Sequence, residues 1–184
     1  MMNRIQARHT GIIAVGAGLL GALIYALMIN VTLAHLETIS GIVPFDMRPF
    51  GYSPTEAATL LDALGEDGRA YYLSHQIPLD TLYPAMLAVT LTATICWLGQ
   101  GLPNSNLVRA GVVLSIGSAL FDYVENICVI AMIWNWREVP DLLVYAASTA
   151  TIAKSVLTTI AVLLTLLLGV IWARLRKSGF RPNP

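Results

Sequence analysis

Charge is scarce in this sequence. Only 12% of its 184 residues are Asp, Glu, Lys or Arg, while 56% are hydrophobic. A soluble domain of this size carries roughly twice that charged fraction, so the composition argues against an ordinary soluble fold. Cysteine is as sparse. Cys96 and Cys128 are the two present, and they form no C-x-x-C pair, which excludes a thiol oxidoreductase of that type. In a four-span arrangement their depths differ by roughly 18 Å, whereas a disulfide needs Cα atoms within about 7 Å. Both are therefore read as packing residues. The three histidines, His9, His35 and His75, all fall outside the apolar runs, so bis-histidine haem is not expected. No phosphate loop, GxSxG or HExxH occurs, no internal repeat or low-complexity segment is present, and nothing suggests nucleic acid binding. No cofactor is expected.

What the sequence does have is four long apolar runs, at residues 11–33, 78–99, 108–134 and 142–173. Each suffices to cross a bilayer, which takes about 20 residues. Little chain remains for a soluble domain. The expectation is one membrane domain over residues 1–184, an all-α four-helix transmembrane bundle. The first run is longer than a usual signal core and lacks a clear small-residue cleavage site, so it is expected to be retained. Its Gly11, Gly16, Gly18 and Gly21, interleaved with Ala14, Ala17 and Ala22, suit close packing against another helix. Arg4, Arg8, Arg109, Arg174, Arg176, Lys177 and Arg181 fall on one side of such a bundle, and Arg48, Arg69 and Arg137 on the other. That bias places both termini in the cytoplasm and the protein in the inner (plasma) membrane. The basic tail from Arg174 to Lys177 reads as a topology anchor.

Residues 34–77 form the one sizeable segment between runs. Val43 to Tyr52 contains Pro44 and Pro49 and reads as extended or turn-rich. Ser53-Pro54-Thr55-Glu56 then has the form of a helix start, with Ser as N-cap, Pro first and Glu third. Gly65 suits a stop, and Glu66-Asp67 the start of a second short helix. These two helices, about residues 53–75, are expected to cap the outer surface of the bundle, with their aromatics in the interfacial zone. Asp46 and Arg48 are expected to pin this loop.

Three ionisable residues lie inside apolar runs: Asp122, Glu125 and Lys154. Charges in hydrocarbon are costly, so they are paired, hydrated or functional. At helical spacing the third run places Gly111, Ser115, Ser118, Asp122, Glu125/Asn126 and Val129 on one face. The fourth places Ser148, Thr151, Ser155, Thr158 and Thr165 on one face, with Lys154 beside it. The second offers a weaker stripe of Asp80, Tyr83, Thr90 and Thr94, interrupted by Leu87. Such faces should turn toward one another, since lipid cannot satisfy them. Asp122 is twelve residues from Trp134, and Lys154 is twelve from Leu142. The two charges should therefore lie at one level, roughly 18 Å in, and Lys154 should pair with Asp122 or Glu125. Two acids beside one amine call for a shared proton, or for Asn126, Tyr123 or water as a further partner. Asp122, Glu125 and Lys154 are thus the catalytic candidates. Asp80, Tyr83, Asp122, Glu125, Asn126, Ser148, Thr151 and Lys154 are the expected ligand-binding set. His35 and His75, with Glu37, Asp80 or Asp46, have no fixed metal-motif spacing, so no metal is expected and a solvated interfacial role is read instead.

The stretches Asp46 to Ala57, Leu64 to Arg69, Phe121 to Asn126 and Ala147-Ser148 through Lys154 resemble an uncharacterised group of small bacterial four-span membrane proteins. The resemblance covers most of residues 40–155. It implies the architecture and no activity. At the level of fold the chain is also similar to small helical enzymes that isomerise or bind sterols with intramembrane carboxylates, whose motifs it lacks. Three functions are compatible with these residues. One is a lipid-binding or structural accessory subunit, whose partners would be membrane lipids, a small hydrophobic ligand or another membrane protein. The second is an intramembrane enzyme acting on a lipid or isoprenoid by carboxyl acid/base chemistry. The third is a small proton-coupled transporter.

Overall fold

A computed structural model of the chain describes residues 4–102 and 105–177, leaving aside the side chains of residues 4–8. Pro103, Asn104 and Arg181 lie outside the described residues. Those described form an all-α bundle with no strand, and four helices are long and apolar enough to cross a membrane.

The first helix is longer than its apolar run. α1 (Arg4–Leu27) passes through a π-helical turn, Met28–Thr32, into α2 (Leu33–Ser40) without a break. No residue in 34–40 stops a helix. The stop is Gly41, whose φ of 67° closes the helix in the left-handed conformation that glycine adopts without a Cβ penalty. A short 3-10 turn, Phe45–Met47, follows. α3 (Pro54–Tyr71) opens on the expected capping box: the Ser53 side chain accepts from the Glu56 N–H, and Glu56 accepts from the Ser53 N–H at 2.8 Å. Gly65, at φ 64° and ψ −172°, breaks α3 into two helical pieces. The second piece does not end before the span. It continues through another π-helical turn, Tyr72–Gln76, into α4 (Ile77–Leu98). A 3-10 turn at Gly99–Gly101 leads to α5 (Asn106–Trp134), and α6 (Asp141–Lys177) ends the fold.

α4 lies centrally, with α1 on one side and α5 on the other, and α6 packs on α5 and touches α4. The small residues of α1 serve this packing: a Cβ on Gly18 would stand 3.3 Å from Thr90, and one on Gly21 3.4 Å from Met86. Thr90 and its neighbour Thr94 thus face toward α1, so the weak polar stripe of α4 divides, with only Asp80 and Tyr83 turned to the polar interior.

The segment between Gly41 and Ser53 does not simply cover the bundle. It enters its mouth. Phe45, Tyr52 and Tyr72 are buried, with ring centroids 4.8 Å (Phe45–Tyr52) and 6.2 Å (Phe45–Tyr72) apart. Of the aromatics on the cap helices, Tyr72 fills this core, while Tyr71 is half-buried. Gly51 makes the entry feasible. Its φ is 82°, and a Cβ there would overlap the Ser148 Oγ on α6. The next N–H, that of Tyr52, donates to that same oxygen at 2.9 Å.

Candidate functional site

The polar centre is built from the lysine outward. Lys154 Nζ donates to Asp122 Oδ1 at 2.8 Å and lies 2.6 Å from Glu125 Oε2. Both acids expected as partners are therefore present at its level. They are not equivalent. Asp122 is 6% exposed and Glu125 only 1%, and Glu125 Oε1 has no hydrogen-bond partner among the described residues. Its other oxygen, Oε2, makes the ion pair with Lys154. The stripe that carries these acids on α5 is buried from Gly111 to Val129, which accounts for its small and polar composition.

A backbone defect sits beside the centre. Pro84 lies inside α4 and has no N–H for the carbonyl of Asp80, four residues back. Asn126 Nδ2 supplies the missing donor, bonding that carbonyl at 2.9 Å. Tyr123 Oη donates to the next carbonyl, Thr81, at 3.2 Å. The asparagine expected as a partner of the acids instead repairs the helix that carries a third acid, Asp80.

Asp80 is 2% exposed, and its Oδ2 has no hydrogen-bond partner among the described residues. The carboxyl of Asp46 lies within hydrogen-bond reach of it, so that a proton shared by the two acids, or a donor from a ligand, would satisfy that oxygen. Asp46 in turn accepts from the Tyr72 hydroxyl and from Gln76 Nε2 at 3.3 Å, and Gln76 accepts from Thr32. Thr32 and Gln76 are the last residues of the two π-helical turns. Such turns recur at functional sites because they redirect side chains and loosen the backbone ladder. Here they face each other and hold Asp46 over the bundle mouth. Arg48 is turned away, donating to the Val43 carbonyl at 2.9 Å and lying 3.8 Å from Glu56.

These groups line a cleft of about 460 Å³ between α1 and α6, floored by α4. Asp46, Asp80, Asp122 and Lys154 mark its polar part. Leu87, Met28 and Leu33 give it apolar walls, and Thr158 and Thr159 line the α6 side. Tyr25, Met47 and Thr159 at its lip are exposed, so it opens sideways, where lipid would lie.

Of the residues expected to bind a ligand, Asp80, Tyr83, Asp122 and Lys154 line this cleft. The other four stand behind it. Glu125 backs Lys154, and Asn126 holds the Asp80 carbonyl. Ser148 anchors the loop at Tyr52, and the Thr151 hydroxyl bonds the Ala147 carbonyl of its own helix. Tyr52 is near them. Its hydroxyl is buried beside Thr151, and burial pushes its pKa far above the usual phenol value. Both imidazoles pack on Tyr71: His75 stacks on the phenol ring at 4.2 Å between centroids, and His35 meets it tilted at 4.4 Å. Cys96 and Cys128 are both free thiols.

Sequence reasoning gave Asp46 a pinning role and assigned nothing to Thr32, Gln76 or Pro84. The signal for Pro84 was available, since a mid-span proline four residues after Asp80 strands that carbonyl. No protein-family model matches the chain, and no curated protein or solved structure matches it either.

Proposed function

We propose that this protein is a membrane-embedded binder of a lipid-like amphiphile, which enters sideways between α1 and α6 and sets its polar head against Asp80, Asp122 and Lys154. One observation carries this reading: a cleft of ligand size, about 460 Å³, with charged groups at one part and apolar walls at another. The inner half of the bundle supports binding over transport. Beneath the cleft, Leu91, Ile95, Leu98, Ala161 and Leu168 form a buried apolar cluster, an unfavourable path for a polar solute or a proton. The location that fits is the inner (plasma) membrane with both termini cytoplasmic. Arg109, Arg174, Arg176 and Lys177 lie at the end of the bundle opposite Arg48, Arg69 and Arg137.

The test is native mass spectrometry of the protein purified in mild detergent. A co-purifying lipid adduct is expected, and Leu87→Trp, which fills the cleft floor, should remove it. Adducts equal in both proteins, or absent from both, would overturn the reading.

The uncommitted Asp80 oxygen favours a second reading, in which the cleft does acid/base chemistry on a lipid or isoprenoid. A carboxyl facing the ligand is the group such a step needs. Incubation with membrane lipid extract should then yield a new product that Asp80→Asn abolishes while the adduct is retained. No product removes this reading and leaves binding intact.

A further inference from the structure

Among the residues that line the cleft, one buried acceptor is left over. Lys154, the one cation lining the cleft among the described residues, is engaged by Asp122 and Glu125 at 2.8 and 2.6 Å. Asp46 is satisfied by two neutral donors, Tyr72 and Gln76. Of the residues lining the cleft, Asp80 is the one that keeps a buried oxygen with no donor among the described residues; Glu125, also short of donors, stands behind Lys154 and outside the lining. Arg48, two residues from Asp46, is tied to Val43 and Glu56. A buried acceptor without a donor is costly, and a buried carboxylate without a cation more so.

We propose that the head of the amphiphile is a protonated primary amine, seated on Asp80 with Asp46 beside it, and that it carries no anionic group next to the amine. This rests on the lipid-binding reading above and names its ligand class. An ammonium brings three donors and a positive charge to a place with three lining acids and one lysine. A phosphate or carboxylate at the same level would meet Asp46, Asp80 and Asp122, and the lysine that would attract it is already held by two acids. A hydroxyl head would satisfy Asp80 but leave the charge imbalance. The alternative within the protein is a proton held between Asp46 and Asp80, which would remove any need for a cation.

The experiment compares three probes of equal chain length on the purified wild-type protein: a long-chain primary amine, the corresponding alcohol and the corresponding fatty acid. Binding is read by native mass spectrometry titration and by displacement of the co-purified adduct. The amine is expected to bind at least tenfold tighter than the alcohol, and the acid weakest. Asp80→Asn should bring amine affinity down to that of the alcohol and leave the alcohol unchanged. Leu87→Trp should weaken all three. Equal binding of amine and alcohol overturns the amine assignment while leaving the cleft as a lipid site. Preference for the acid overturns it too. If no probe displaces an adduct and Leu87→Trp changes nothing, the lipid-binding reading itself falls. The wild-type comparison needs no variant, so a misfolded Asp80→Asn does not remove the test.

Discussion

The two halves of the bundle solve the same problem differently. In the half nearer the termini, the inner half of the proposed orientation, Ser115 donates to the Gly111 carbonyl and Thr165 to the Ala161 carbonyl of its own helix, each at 2.7 Å, and the cross-helix bond between Ser118 and Thr158 lies at the boundary with the polar centre. The contacts between helices there are apolar, around Ile95, Leu98 and Leu168, with Trp97 and Trp172 packed at 5.6 Å. In the outer half, polar groups are satisfied across helices, as in Lys154 with Asp122, Asn126 with the Asp80 carbonyl, and Gln76 with Asp46. The outer half also contains both π-helical turns and Pro84. A hydroxyl bonded to its own helix demands nothing of its neighbours, so it is compatible with plain architecture. A cross-helix ion pair in lipid fixes register at a desolvation cost, and is weak evidence for stability in itself. The cost therefore points to the outer half as the working part.

The largest expected effect separates a broken centre from an absent one. Lys154→Met leaves two buried acids with no cation and should cost about 3–5 kcal/mol, whereas adding Asp122→Asn and Glu125→Gln should recover most of that loss. Thermal unfolding in detergent checks both. A single variant as stable as the triple would mean that the centre is hydrated and carries little strain. Next in size, Ile95→Ala should cost about 2–5 kcal/mol as a buried cavity in the inner half, and no companion polar change should rescue it. It should leave the lipid adduct intact. An Ile95→Ala protein that melts like wild type but loses the adduct would show that the halves are not separable in this way.

A smaller effect tests the repair of α4. Asn126→Leu leaves the Asp80 carbonyl buried and unpaired, at a cost of about 1–3 kcal/mol. With Pro84→Ala in place, residue 84 regains an N–H for that carbonyl, so the penalty of Asn126→Leu should fall below about 1 kcal/mol. Unfolding of the two single variants and the double gives the coupling directly. Strictly additive costs would show that Asn126 acts through some other contact.

These contrasts also explain what could be read from sequence. Asp122, Glu125 and Lys154 stand out because each is a charge in an apolar run, and helical spacing with antiparallel neighbours puts them at one level. The buried face of α5 is legible for the same reason: small and polar residues recur at three and four. Asp46 was legible only as a loop acid. Its place depends on closure of the 44–52 segment into the bundle mouth, which Gly51 permits through a left-handed φ and a contact with a helix about a hundred residues away. The π-helical turns have no residue signature of their own, since they arise where the ladder slips to seat Thr32 against Gln76. The length of the first helix was readable in part: nothing before Gly41 stops it, and hydropathy alone draws its end too early.

The smallest effect lies at the edge of the outer half, where the capping box starts α3. Ser53→Ala should cost roughly 1 kcal/mol as a lost N-cap. Glu56 adds a pH dependence whose sign follows from its partners. The Ser53 N–H and then its hydroxyl hold the Glu56 carboxyl below the ordinary value of 4.5. A group depressed in the folded state stabilises fully above its unfolded value and loses that contribution as pH falls through its folded value. Amide exchange at residues 53–57, corrected for intrinsic rates, should therefore be protected near neutrality and lose protection progressively below about pH 4.5. Glu56→Gln should flatten that acid limb while leaving exchange at Ile95 and Leu168 untouched, because the cap touches the outer half alone. Acid loss of protection that persists in Glu56→Gln would show that the limb does not come from the cap.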